Sequence, residues 1–214
     1  MKKLILVTLL FANSVWASCP QFYPNGKEIV VPDTVELCNS FYVIRYDVAN
    51  MRNIFSSEIL QPTGHTVERK NDFHADTRIP RSSLVIPSAY IRTGYDKGHM
   101  VPAGDATTEA QMSETFLMTN MTPQKPTLNR DAWKMLEEQT RKAATANREP
   151  IHVLTAAVYE TLNRVNNVPI PTGYFKVVYL KASAHVYYAD NADHAPVTET
   201  TMAVFEKRTG YKLQ

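Results

Sequence analysis

The chain has 214 residues, 44% of them hydrophobic, which is enough for one compact domain with a sizeable core and short for two. Its formal charge is only +2, and removing Lys2 and Lys3 with the leader described next leaves 21 basic residues against 21 acidic ones. That balance excludes binding to nucleic acid through bulk charge, so any such function must concentrate its basic groups locally.

The N-terminus reads as an export signal. Lys2 and Lys3 precede an apolar run from Leu4 to Ala12, and Val15-Trp16-Ala17 gives a small-residue cleavage end. Cleavage after Ala17 makes residues 1–17 a signal peptide and 18–214 one domain, bound for the periplasm or the medium. The apolar run is short for a bilayer and no second one follows, so no membrane span is expected. Cys19 and Cys38, the only cysteines, are expected to pair in an oxidising compartment. The alternative makes Cys19 a lipidation site and leaves Cys38 a lone thiol.

Next come two strands, Phe41 to Val48 and Asn53 to Leu60, with alternating β-branched and aromatic residues around a turn at 49–52. A polar, proline-punctuated loop region from Gln61 to Pro87 carries Arg69, Arg78, Arg81, His65 and His74. After the segment YDKGHM, Asp105 or Thr107 is expected to cap a helix ending near Thr119. MTPQKPT reads as a proline-bearing turn. LNRDAWKMLEEQTRKAATAN is the strongest helical pattern, with Leu128, Ala132, Trp133 and Leu136 at helical spacing and Asp131 in the first turn. Strands IHVLTAAVY, GYFKVVYL and HVYYAD follow, then a helix TTMAVFEKRTG closed by Gly210. Strands flank central helices without a regular βαβ rhythm, so the class is α+β, a mainly antiparallel sheet core with flanking helices.

Asn129, Trp133 and Glu137 are four apart on the long helix, and each step of four drifts by about 40°, so Asn129 and Glu137 lie within about 80° on one side. An amide oxygen and a carboxylate facing one cleft are hard donors suited to Mg²⁺ or its water shell. His99 in YDKGHM is a candidate partner, because a neutral imidazole can take a proton from an attacking water. Together they point to metal-assisted phosphodiester hydrolysis. Asp96 reads as a hydrogen-bonding brace and Trp133 as core. His65, His74, His152, His185 and His194 show no ligand-like spacing.

The segments YDKGHMVPAGD, FLMTNMTPQKPTLNRDAWKMLEE, IPTGYFKVVY and FEKRTGYKL resemble, in order and spacing, the DNA/RNA non-specific endonuclease family of ββα-metal (His-Me finger) nucleases. The resemblance runs from about Arg69 to Leu213. It implies a ββα-metal active-site motif and Mg²⁺-dependent, sugar-non-specific cleavage of DNA and RNA to 5′-phosphate products, with Mn²⁺ as the alternative ion. It makes His99 the general base, Asn129 the single direct metal ligand and Glu137 the residue that orients metal-bound water. It gives Asn120 a role in orienting substrate or supporting the site, and Arg69 a phosphate contact, for which Arg78 and Arg81 are rivals in the same loop. The signature reads Asp-Arg-Gly-His in the family; here its arginine is Lys97, which keeps the charge but loses the bidentate fork. Lys125 and Arg130 are candidates for tracking the nucleic-acid backbone. The competing function is a nucleic-acid-binding protein with impaired catalysis.

Overall fold

An antiparallel sheet of seven strands carries the other elements. The computed structural model describes residues 18–63, 67–181 and 183–213; the expected leader and His65 lie outside these. The strands are β1 (Val35–Cys38), β2 (Tyr42–Asp47), β3 (Arg52–Leu60), β4 (Asp96–His99), β5 (Met121–Gln124), β6 (Ile151–Val158), β7 (Arg164–Val165), β8 (Val168–Pro169), β9 (Gly173–Leu180), β10 (Ser183–Asp190) and β11 (Thr198–Thr200). The large sheet has the order β1-β2-β3-β6-β9-β10-β11, and two small two-stranded sheets pair β4 with β5 and β7 with β8. The expected hairpin around 49–52 is the β2–β3 connection.

Both faces of this sheet are covered, which is why β2 is buried along its whole length. Val43, Phe55, Leu154, Ala156, Phe175 and Val177 pack on one face with Phe22 and Tyr23 of the N-terminal arm and with Phe205. Phe205 belongs to helix α3 (Met202–Thr209), capped by the Thr201 hydroxyl at its start and by Gly210 at φ +77° at its end. The arm is fastened twice. Cys19 and Cys38 form a disulfide, Cα to Cα 6.0 Å, and buried Arg45 donates to Tyr23 Oη at 3.1 Å and to Glu28 and Glu36, each at 2.6 Å.

The opposite face takes helix α1 (Glu109–Thr115), helix α2 (Trp133–Asn147) and the β4–β5 pair. Met112 and Phe116 pack with Tyr42 and Ile44, while Trp133 and Leu136 pack with Ala157 and Tyr174. The structure corrects the sequence reading here in three places. α1 is shorter than expected and is capped by Thr108, whose hydroxyl accepts from Gln111 N; Asp105 instead points inward, where Arg141 Nη1 donates to it at 2.8 Å. MTPQ is strand β5 rather than a turn, because its residues pair with β4 in the register Lys97 to Pro123 and His99 to Met121. His99 therefore sits at the end of a strand. Among the described residues no helix is long and apolar enough to cross a membrane.

Candidate active site

The glycine of YDKGHM is there because of β5. A Cβ on Gly98 would lie 2.3 Å from Gln124 Oε1 and 2.6 Å from Gln124 Cβ, so only glycine lets β4 pass under that side chain. Flanking it, Lys97 and His99 both line a cleft of about 450 Å³ together with Arg69, Asn129, Arg130, Lys134, Glu137, Arg141 and the turn at Pro102 to Gly104.

Asn129 enters from a π-helical turn, Leu128–Ala132, that leads into α2. A π turn has more residues per turn than an α-helix, so each residue rotates by less, which brings Asn129 and Glu137 nearer one line than a straight α-helix would. The Asn129 amide is oriented by Asp96. Hydrogen bonds reach Asp96 from Asn129 Nδ2 at 2.9 Å and from Arg130 Nε and Nη2 at 2.8 and 2.6 Å. Burial opposes ionisation of Asp96, but these donors outweigh it and hold the carboxyl below its ordinary value. An ionised carboxylate only accepts, so it takes the amide NH₂ and leaves Asn129 Oδ1 as the end free to act as a donor to a cation.

His99 Nε2 is buried without a hydrogen-bond partner among the described residues, so Nδ1 is the nitrogen open to the cleft. The ring contacts Phe116 at 4.9 Å and Phe73 at 5.9 Å between centroids. Burial, reinforced by the charge of Arg69, pushes the imidazole down to about 3. That shift favours the neutral ring, the form with a free lone pair to accept a proton. Burial pushes the Glu137 carboxyl the other way, up to about 7, with Lys176 the largest opposing influence.

Of the residues singled out in the sequence, Arg69, Lys97, His99, Asn129 and Glu137 meet in this cleft. Asn120 does not line it. It is fully buried and its side chain bonds only backbone: Oδ1 accepts from Val101 N at 3.0 Å, and Nδ2 donates to Val101 O and Thr115 O, each at 2.9 Å. Its side chain braces the chain that leaves β4. Arg78 is also taken up in structure, tied to Asp76, Asn39 and Cys38 O, and Arg81 does not line the cleft. Trp133 is core, 5.6 Å from the Tyr174 ring. Lys125 pairs with Asp193 at 3.1 Å.

Arg141 and Lys134 were missed. Arg141 is the next member of the same four-residue series, one turn beyond Glu137, so the helix pattern contained the signal. Beneath it lie Asp105, Glu58 and Lys176, all buried. Burial, with Asp105 adding to it, pushes the Glu58 carboxyl well up.

The donor set suits a hard divalent cation. Asn129 Oδ1 and the Glu137 carboxylate supply oxygen, and His99 is the only imidazole among the described residues lining the cleft. The three-donor grouping found among the described residues, Cys19, Glu36 and Cys38, has both sulfurs in the disulfide. The cleft thus offers few protein oxygens and no thiolate, which fits an ion that keeps most of its water, as Mg²⁺ does.

Residues 21–214 match the profile of the DNA/RNA non-specific endonuclease family. The chain is 32% identical over 123 residues to a nuclease of Nostoc sp., covering 56% of this chain and 45% of that protein. It is 28% identical over 160 residues to the mitochondrial endonuclease G of Bos taurus, covering 66% and 53%. With nuclease C1 of Cunninghamella echinulata it shares 30% over 188 residues, covering 77% and 74%. It spans about half the length of the first two relatives. Among solved structures it is similar to that of an EndoG/EndoGI complex, with TM-score 0.74, 25% identity and 83% and 84% of the two chains covered.

Proposed function

Because this chain belongs to the DNA/RNA non-specific endonuclease family, we propose that it is an exported, Mg²⁺-dependent endonuclease that hydrolyses phosphodiester bonds of DNA and RNA, leaving 5′-phosphates. The observation that carries this reading is the meeting of an imidazole, an amide oxygen without a hydrogen-bond partner among the described residues, a carboxyl group and several cations in one cleft.

His99 takes the proton from the attacking water at Nδ1 as oxygen closes on phosphorus and the bond to the 3′ oxygen breaks, the 3′ oxygen leaving with the bonding pair and taking a proton from solvent to become a hydroxyl. Phosphate stays on the 5′ side. The chemistry that a divalent ion would supply when bound in this cleft is neutralisation of the charge that builds on the phosphate and the leaving oxygen. Asn129 Oδ1 would hold such an ion directly, and Glu137 would accept hydrogen bonds from the water around it. Arg69 and Lys97 contact phosphate oxygens, which every nucleotide presents alike, so the cleft reads no bases.

Digestion of a supercoiled plasmid and of a long RNA by the purified protein, with and without EDTA, tests this. Cutting of both that EDTA abolishes supports the reading. Binding without cutting points to the nucleic-acid-binding alternative, and cutting unaffected by EDTA removes the metal from the account.

A further inference from the structure

Two cations near His99 make no direct ion pair among the described residues, although Asp96 feels the charge of Lys97 and Glu137 acts on Arg69 through space. Lys97 Nζ lies 4.5 Å from the centroid of the Phe73 ring and 5.9 Å from that of Tyr90, and forms no hydrogen bond or ion pair among the described residues. The Arg69 guanidinium lies 5.3 Å from the Phe116 centroid, and its Nε donates to the neutral Asn71 side chain at 3.0 Å. The other cleft cations differ. Arg130 is paired with Asp96, Arg141 with Asp105 and Lys134 with Glu138.

Phe73 and Phe116 meet edge to face at 4.8 Å and 84°, and both touch the His99 ring. The phenyl pair is therefore a partition, with the imidazole against it and a cation over each ring. The chemistry of such a mount differs from that of an ion pair. A carboxylate would fix the Lys97 ammonium but cancel its charge, and an incoming phosphate would have to displace it. A ring face attracts the cation through its quadrupole, leaves the net charge whole and leaves the ammonium donors unspent.

We propose that Phe73 is a positioning residue that holds the Lys97 ammonium, with its charge intact, where the phosphate beside His99 can take its hydrogen bonds. The role rests on the nuclease reading above. It also gives the lysine of YDKGHM a physical partner that a search for ion pairs misses.

The test is a double-mutant cycle on plasmid cleavage with Phe73→Leu, Lys97→Ala and the double variant, since leucine keeps an apolar side chain and removes the π face. Phe73→Leu should lower kcat/KM by about 3- to 30-fold in the wild-type background. In the Lys97→Ala background it should change by less than about two-fold, and Phe73→Tyr should stay near wild type. Equal losses in both backgrounds overturn the proposal, because Phe73 then acts by packing against His99 or Phe116. A direct readout does not depend on the variants folding: in the wild-type protein the Lys97 side-chain methylene protons next to the ammonium should be shifted upfield by the Phe73 ring current. Ordinary shifts there overturn the proposal. Upfield shifts in a protein that cuts nothing overturn the nuclease reading and leave the Lys97 contact standing.

Discussion

Replacing Glu137 by glutamine separates what the carboxylate does for chemistry from what its burial does to the fold. Burial moves this carboxyl from 4.5 up to about 7. The folded protein then binds the proton more tightly than the unfolded chain. The stability tied to that proton is complete below about pH 4.5 and is lost as the pH rises through about 7. The gap corresponds to at most about 3 kcal/mol, and water entering the open cleft reduces it. Glutamine keeps the shape and does not titrate.

In EDTA, Glu137→Gln should therefore match wild type at about pH 4 and exceed it at about pH 8.5, by up to about 3 kcal/mol. For a domain of this size that is an increase of about 6–12 °C in Tm. Cleavage should fall in the same variant, since a neutral amide accepts more weakly from the water around the ion. The assay is urea unfolding of the metal-free proteins across that pH range, run beside plasmid cleavage in saturating Mg²⁺. A stability gain of the same size at both pH values would show that packing, not ionisation, separates the variants. A loss at high pH would refute the burial argument.

His99→Ala should lower cleavage by about 10²–10⁴-fold while folding and nucleic-acid binding persist; a folded variant with full activity would remove His99 from the mechanism. The imidazole is pushed down to about 3, so its stability contribution is present above the ordinary value near 6.5 and is lost as the pH falls toward 3. The His99→Ala protein should accordingly lose less stability on acidification, by circular dichroism, than wild type. Asn129→Ala should raise the Mg²⁺ concentration that half-saturates the initial rate, and an unchanged half-saturation point would mean that the amide oxygen is not a ligand. The Cys19–Cys38 disulfide should leave the non-reduced protein without titratable thiol, and its reduction should cost about 3 kcal/mol by loop entropy; two free thiols would contradict it.

The part of the site that helical spacing alone made legible lies on one element, whereas His99, Lys97 and Arg69 were reached through the family resemblance of their segments. Asn129, Trp133 and Glu137 recur every four residues, and a helix places such a series by local geometry alone. The β4–β5 pair was not legible, because each strand has four residues, one holding Gly98 and the other Pro123, and nothing in either announces its partner. Asp105 shows a tertiary contact overriding a local preference: its composition suits a helix cap, but Arg141 draws it inward at 2.8 Å. Phe73 and Phe116 are 43 positions apart in the chain, and their joint contact with His99 exists only once α1 has packed on the sheet. The large sheet was readable in β2, β3, β6, β9 and β10, which are long and apolar, and unreadable in β1 and β11, which are short and lie at its edges.

Charge distribution reconciles a nearly neutral chain with an anionic substrate. Arg69, Lys97, Arg130, Lys134 and Arg141 line the cleft with Glu137 as the one carboxylate among the lining residues. Three of the cations already carry carboxylate partners from just outside that lining. Their pairing fixes α2 and the Asn129 amide more than it adds positive potential. The attraction that remains comes from Arg69 and Lys97, which lie over the Phe116 and Phe73 rings that pack against His99. A field concentrated in this way acts over about a Debye length, roughly 8–10 Å at physiological salt. Such a field would capture a phosphate already at the cleft mouth rather than draw in a whole duplex from afar, which suits the proposed cleavage of DNA and RNA without regard to sequence.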